Sequence, residues 1–164
     1  MTAMPLPDRT ALLELDEPHL AALCRIETCR GSGPGGQKRN KTSSAVQVTL
    51  NGTELAAYDD QERSQFINKH RALQKLRLEI ALALRLPPVP WSGPIPAPGN
   101  ERRPLWVAAA LDHLHDANFS VADAAKGLGL STGQLVRELL RTPPLWQRVN
   151  RERTARGFSP LKPS

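Results

Sequence analysis

A chain of 164 residues and 18.0 kDa has room for one ordinary domain, or for a small domain plus an appendage. Its 40% hydrophobic and 23% charged residues exclude wholesale disorder, and no apolar run approaches the roughly 20 residues that cross a bilayer. A formal charge of +6 favours a polyanionic partner, and residues 1–10, with two prolines, an aspartate and an arginine, read as neither a secretory nor a transit sequence, so a soluble cytoplasmic protein is expected.

In chain order, Leu12, Leu13, Leu15, Leu20 and Leu23 suggest a short helical opening that is interrupted or restarted at Pro18. Residues 24–30 then alternate as a strand. Cys24 and Cys29, the only cysteines, stand five apart and so point to opposite faces of it. The compartment rule reads both as reduced thiols. The glycine-rich run Gly31-Ser32-Gly33-Pro34-Gly35-Gly36-Gln37 follows at once and suits neither helix nor ladder. Beyond the polar stretch 38–44, two alternating runs, 45–50 and 53–58, flank Asn51-Gly52. That pattern predicts a two-residue type I′ hairpin with Val48 opposite Leu55 and Val46 opposite Ala57.

Asp59 or Asp60 is expected to cap a helix over 61–86. Its core stripe would be Phe66, Leu73, Leu76, Ile80 and Leu84, with Arg63, Arg71, Lys75 and Arg77 off that stripe. Residues 86–104 hold Pro87, Pro88, Pro90, Pro94, Pro96, Pro98 and Pro104 with Gly93 and Gly99 between them, which reads as a semi-rigid linker. Residues 1–90 carry 12 basic and 10 acidic side chains and residues 91–164 carry 10 and 6, so the two halves stand at +2 and +4. After the linker a helix is expected over 105–115 and another from Val121, capped by Ser120. Ala125, Leu128, Gly129, Leu130, Ser131, Leu135 and Leu139 fit a helix-turn-helix, with glycine at the turn and leucines filling the angle. Arg148, Arg151, Arg153, Arg156 and Lys162 make the last stretch basic.

The spacing Gly31-x-Gly33-x-x-Gly36 also satisfies a dinucleotide fingerprint, but that motif opens a helix onto a pyrophosphate. Here residues 38–44 are poor helix material and lead into a hairpin. A phosphate-binding P-loop fails as well, because Gln37 stands where its lysine should be. His19, His70, His113 and His115 are scattered over different segments, and none sits beside a serine or cysteine in a nucleophile motif.

Residues 30–45, RGSGPGGQKRNKTSSA, resemble the GGQ loop of class I peptide chain release factors and of their short, ribosome-rescuing relatives. The resemblance joins Ser32 to Gln37 with Asn40-Lys41-Thr42 and Ser44-Ala45-Val46, then with Glu62-Arg63-Ser64-Gln65 and Asn68, and covers roughly 12–85. It implies hydrolysis of the peptidyl-tRNA ester in the peptidyl transferase centre of the large ribosomal subunit, with Gly35, Gly36 and Gln37 as the catalytic residues and no metal or organic cofactor. By the same resemblance Arg30, Ser32, Lys38, Arg39, Asn40, Lys41, Thr42, Arg63, Ser64, Gln65, Arg71 and Lys75 would contact ribosomal and transfer RNA. A glutamine methyltransferase acting on the Gln37 side chain is a further implied partner.

Lys38-Arg39 departs from the histidine-valine that follows the glutamine in codon-reading factors and looks like some rescue relatives. The remaining chain is too short for stop-codon-inspecting domains, so codon-independent rescue of stalled ribosomes is expected. Arg148, Arg151, Arg153 and Arg156 would be the ribosome contacts of a basic tail. The competing reading is a helix-turn-helix nucleic-acid-binding protein with Gln134, Arg137 and Arg141 on its recognition helix, or a ribosome-binding or RNA-binding protein without hydrolysis. The expected architecture is α+β: an N-terminal extension over 1–11, a GGQ domain over 12–86, a proline-rich linker over 87–104, a helical domain over 105–142 and a basic tail over 143–164. A monomer that does not bind membranes is expected.

Overall fold

The structure is a computed structural model that describes residues 5–29 and 44–163. It is mixed α/β, with a three-stranded antiparallel sheet and several helices. The chain divides into two compact units, Met1–Ala83 and Leu84–Ser164.

The first unit opens with α1 (Arg9–Glu14) and α2 (Glu17–Ala22). Asp8 caps α1 by accepting from the Ala11 N–H at 2.9 Å, and Asp16 caps α2 by accepting from the His19 N–H at 2.9 Å. Pro18 lies in the first turn of α2, where the N–H it lacks has no helical partner to lose, so the proline restarts the helix. Three strands follow, β1 (Cys24–Cys29), β2 (Ala45–Leu50) and β3 (Ala56–Asp59), in the order β1-β2-β3. Val46, Val48 and Leu50 of β2 are buried with Leu12, Leu13 and Leu20. The long helix α3 (Gln65–Ala83) lies across β2 and β3 and contributes Ala72, Leu73, Leu76 and Ile80 to that core. Both cysteines are free, and the Cys24 Sγ–H donates to the Leu20 carbonyl at 3.2 Å.

The hairpin differs from the expected one by two residues. Val48 pairs with Ala57 and Val46 with Asp59, and residues 51–54 form the connection. A type I′ turn needs positive φ at both central residues. Gly52 has φ +77°, whereas Asn51 is not among the positive-φ residues. Instead the Thr53 N–H closes a turn onto the Leu50 carbonyl at 3.1 Å. The Thr53 hydroxyl donates to the same carbonyl at 2.8 Å and accepts from the Leu55 N–H at 3.0 Å, which lengthens the loop. A shift of two preserves the strand's facing, so β2 keeps Val46, Val48 and Leu50 inward.

Helix α3 is shorter than expected at both ends. Ser64, not Asp59 or Asp60, caps it: its hydroxyl accepts from the Ile67 N–H at 3.3 Å. Asp59 ends β3 and accepts from the Gln61 N–H, while Asp60 binds the Tyr58 hydroxyl and the Gln61 amide. At the other end the Leu86 N–H donates to Asp112 Oδ1 at 3.1 Å, and Pro87 disfavours helical backbone at the residue before it. The expected stripe is buried at Leu73, Leu76 and Ile80 but not at Phe66 or Leu84.

The second unit is built round α4 (Arg103–Asp116), whose residues from Trp106 to Leu114 are buried. Around it stand α5 (Val121–Leu128), α6 (Thr132–Leu140) and α7 (Pro143–Ala155). Ser120 caps α5, Gly129 ends it at φ +71°, and Ser131 with Gln134 forms a capping box on α6. Arg103 is buried at the start of α4. It donates to Glu138 Oε2 at 2.8 Å, to the Glu138 carbonyl at 2.9 Å, to the Thr142 hydroxyl at 3.2 Å and to the Pro96 carbonyl at 2.9 Å.

The proline-rich segment, expected as a spacer, belongs to this unit. Its residues cannot donate freely, yet their carbonyls accept: Val89 O lies 2.8 Å from His113 Nε2, and Pro96 O binds Arg103. Residues 143–155, expected within a basic tail, are helix α7 with Leu145 and Val149 buried.

Candidate functional site

Cys29 and Ala45 pair across the sheet, so the segment between them leaves and returns at one sheet end. The same end receives the C-terminus of β3 and the first turns of α3. There, on the second residue after the exposed Phe66, the side chain of Asn68 is fully buried. Its Nδ2 donates to the Ser44 carbonyl and to the Glu62 carbonyl, each at 2.8 Å, and its Oδ1 accepts from the Glu62 N–H at 3.0 Å. One amide therefore fastens three pieces of backbone: the return of the loop at Ser44, the approach to α3 at Glu62, and α3 itself. A buried amide with its partners in place fixes geometry because each lost bond would leave a group without water to replace it.

A second fastening lies on β3. Lys75 Nζ is 2.8 Å from Asp59 Oδ2 and donates to the Tyr58 carbonyl at 3.0 Å. Burial pushes the Asp59 carboxyl up, but the bond from Lys75, the Gln61 N–H and the charges of Lys75 and Arg71 outweigh it, leaving the carboxyl below the ordinary aspartate value.

Of the residues expected at the site, Arg30, Ser32, Gly35, Gly36, Gln37, Lys38, Arg39, Asn40, Lys41 and Thr42 lie outside the described residues. The others fall on the approach to α3 and on its first turns. Arg63 is exposed, Ser64 is the N-cap, and Gln65 begins the helix. Arg71 Nη2 pairs with Glu62 at 3.2 Å, and Lys75 is held by Asp59. Two of the three expected RNA-contacting cations of this helix region thus carry ion pairs within the unit. Asn68 and Asp59 were not among the expected site residues. The signal for Asn68 was its place among the residues that carry the resemblance; nothing local marks Asp59, whose partner lies 16 residues on.

In the second unit the arginines of α7 serve its own fold. Asn118 and Phe119 have positive φ, 49° and 63°, a conformation costly for residues with a Cβ. Arg153 Nη1 donates to the Phe119 carbonyl at 2.6 Å, Arg156 Nε donates to Asn118 Oδ1 at 3.0 Å, and the Arg156 guanidinium lies 4.4 Å from the Phe119 ring centroid. Arg148 pairs with Glu152 at 3.3 Å, and Arg151 is exposed. On α6, the Gln134 side chain accepts from the Ser131 N–H at 2.8 Å and Arg141 pairs with Glu138 at 3.1 Å, so two of the three side chains of the expected recognition helix are engaged in capping and in an ion pair. Among the described residues no group of three or more His, Cys, Asp or Glu could hold a metal ion, and no helix is long and apolar enough to cross a membrane.

Comparison with known proteins matches residues 20–86 to the RF-1 domain family. Peptide chain release factor 1 of Delftia acidovorans (strain DSM 14801 / SPH-1) is 42% identical over 80 residues, covering 49% of this chain and 21% of the relative. Peptide chain release factor 2 of Paramagnetospirillum magneticum (strain ATCC 700264 / AMB-1) is 42% identical over 76 residues, covering 46% and 19%. Peptide chain release factor 1 of Mycobacterium avium (strain 104) is 44% identical over 72 residues, covering 44% and 19%. The chain spans about a fifth of the length of these curated relatives. Residues 20–86 therefore match the RF-1 domain, and that stretch is what the chain shares with these peptide chain release factors.

Proposed function

We propose that this chain hydrolyses the ester bond of peptidyl-tRNA on the ribosome, by placing Gly35-Gly36-Gln37 in the peptidyl transferase centre of the large subunit, and that it does so without reading a codon. The observation that carries the reading is the sequence Gly-Gly-Gln inside the segment matched to the RF-1 domain, on a connection whose two ends are paired at Cys29 and Ala45.

Glycine at 35 and 36 lets backbone approach RNA where a Cβ would clash and opens φ values closed to other residues. Gln37 has no proton to exchange near neutral pH, so it is a poor general acid or base. Its backbone N–H donates instead to the oxyanion formed when water attacks the ester carbonyl, and its side-chain amide shapes a pocket that admits that water. The carbon–oxygen bond to the tRNA ribose then breaks, and the ribose oxygen takes the proton. A donor fixed where charge develops is worth about 10² to 10³ in rate. Lys38, Arg39 and Lys41 hold the loop by phosphate contacts without reading sequence. The basic pair Lys38-Arg39, as in rescue relatives, favours codon-independent release, and the ribosomal setting implies a cytoplasmic protein. A glutamine methyltransferase acting on Gln37 is an accessory partner in this reading. Of the arginines on α7, the exposed Arg151 is the one open to phosphate.

The test is peptide release from ribosomes carrying truncated, intact and stop-codon messages. Release on the truncated message without a stop codon is expected, and Gly36→Ala removes it while binding persists. Release that survives Gly36→Ala excludes the mechanism, and release only at stop codons excludes rescue.

A further inference from the structure

Among its described residues the first unit leaves two large apolar side chains open to solvent, and they are neighbours. Phe66 is 79% exposed and Ile67 is 41% exposed. Phe66 stands seven residues before the buried Leu73, on the same stripe of α3 and about 10 Å further along its axis. One turn nearer the core, His70 pairs with Glu17, the first residue of α2.

This is not a fraying end. The turn is capped by Ser64 and bolted through Asn68 to Ser44 and Glu62, so the ring is presented from a fixed support beside the return of the loop. The surroundings are basic. Arg63 precedes the ring and is exposed, and Lys69 follows it at i+3. Of the nearby acids, Glu62 is paired with Arg71, and Asp60 binds Tyr58 and Gln61. A bare aromatic ring alone would suit many partners. Flanked by Arg63 and Lys69, whose cations have phosphate-binding chemistry, it suits a base on a polyanionic strand.

We propose that Phe66 is a stacking platform for one unpaired base of the RNA that the loop enters, with Arg63 and Lys69 on the flanking phosphates. This rests on the ribosomal reading given under Proposed function.

The test uses the full chain with Phe66→Ala, Phe66→Leu and Phe66→Trp, and Gly36→Ala in parallel. Binding to stalled ribosomes is titrated, release is measured at saturation, and ribosomal RNA is chemically probed base by base in each complex. Because the ring is exposed, urea midpoints should match the parent. Phe66→Ala and Phe66→Leu are expected to weaken binding roughly tenfold, within the range that loss of a stacked base gives. Phe66→Trp should restore it, and one base should lose its protection in the first two variants alone. Unchanged binding by Phe66→Ala overturns the proposal, as does full rescue by leucine, which would mark a plain apolar contact with protein. If those outcomes occur while Gly36→Ala still abolishes release, the release reading stands without the stacking. A parent chain that neither binds ribosomes nor releases peptide overturns both.

Discussion

Substituting Asn68 with alanine takes three hydrogen bonds from a fully buried side chain, two donated at 2.8 Å and one accepted at 3.0 Å. Intramolecular hydrogen bonds contribute about 1 kcal/mol each on balance, and a buried group left without a partner costs about 1–3 kcal/mol. The two Glu62 groups belong to an exposed residue and water can reach them; the Ser44 carbonyl belongs to a buried one. The loss should therefore come to about 3 kcal/mol, dominated by Ser44, against a total stability of about 5–15 kcal/mol, so the unit stays folded. Native-state hydrogen exchange of β2 and α3 amides measures this in the intact chain, since it reports the opening of one unit independently of the other. Asn68→Asp keeps the shape and the acceptor but sets a carboxylate against two carbonyls. It should be at least as damaging at neutral pH and should recover in part on acidification, when the carboxyl becomes a donor. Peptide release should fall with both variants, because misplacing a reacting group by about 1 Å can cost about 10²-fold in rate. Opening free energies within about 0.5 kcal/mol of the parent for Asn68→Ala would refute the assignment of Asn68 as the fastening.

Two further outcomes follow from single contacts. The Asp59 carboxyl titrates below the ordinary aspartate value in the folded chain, so its pairing stabilises fully above that ordinary value and is lost as pH falls through the folded pKa. Lys75→Met should flatten the acid limb of the first unit's stability curve and cost about 1 kcal/mol or less at neutral pH, discounted because Lys75 is half exposed; an unchanged limb by hydrogen exchange would exclude the pair as its source. In the second unit a Cβ on Gly127 would lie 2.6 Å from His113 Nδ1. That ring is buried and faces the Val89 carbonyl through Nε2, so it has little room to yield. Gly127→Ala should destabilise by about 1–3 kcal/mol despite alanine's better helix propensity. The cost should vanish in the His113→Ala background, read by tryptophan fluorescence from Trp91, Trp106 and Trp146, all in that unit. Equal costs in both backgrounds would locate the strain elsewhere.

What the sequence determined by itself was whatever acts within a turn or along one alternating run. Ser120 and Ser131 cap the helices that follow them, Gly129 takes the left-handed backbone between those helices, and Val46, Val48 and Leu50 share one face. The Gly-Gly-Gln run and its flanking residues likewise marked the family, because those residues are contiguous. Tertiary structure decided the rest, since each deciding partner comes from a distant segment. Asp59 is a good cap in isolation, but Lys75, 16 residues on, holds it at the end of a strand, and Ser64 caps α3 instead. Phe66 has the periodicity of a core residue yet is exposed, since whether a periodic position is covered depends on which distant segments pack there. Arg153 and Arg156 read as part of a basic tail until the Asn118–Phe119 turn, more than 30 residues earlier, supplies acceptors and a ring that hold them. Local pattern sets which backbone a segment prefers; the burial of a charge or a ring is settled only when another part of the chain arrives to meet it.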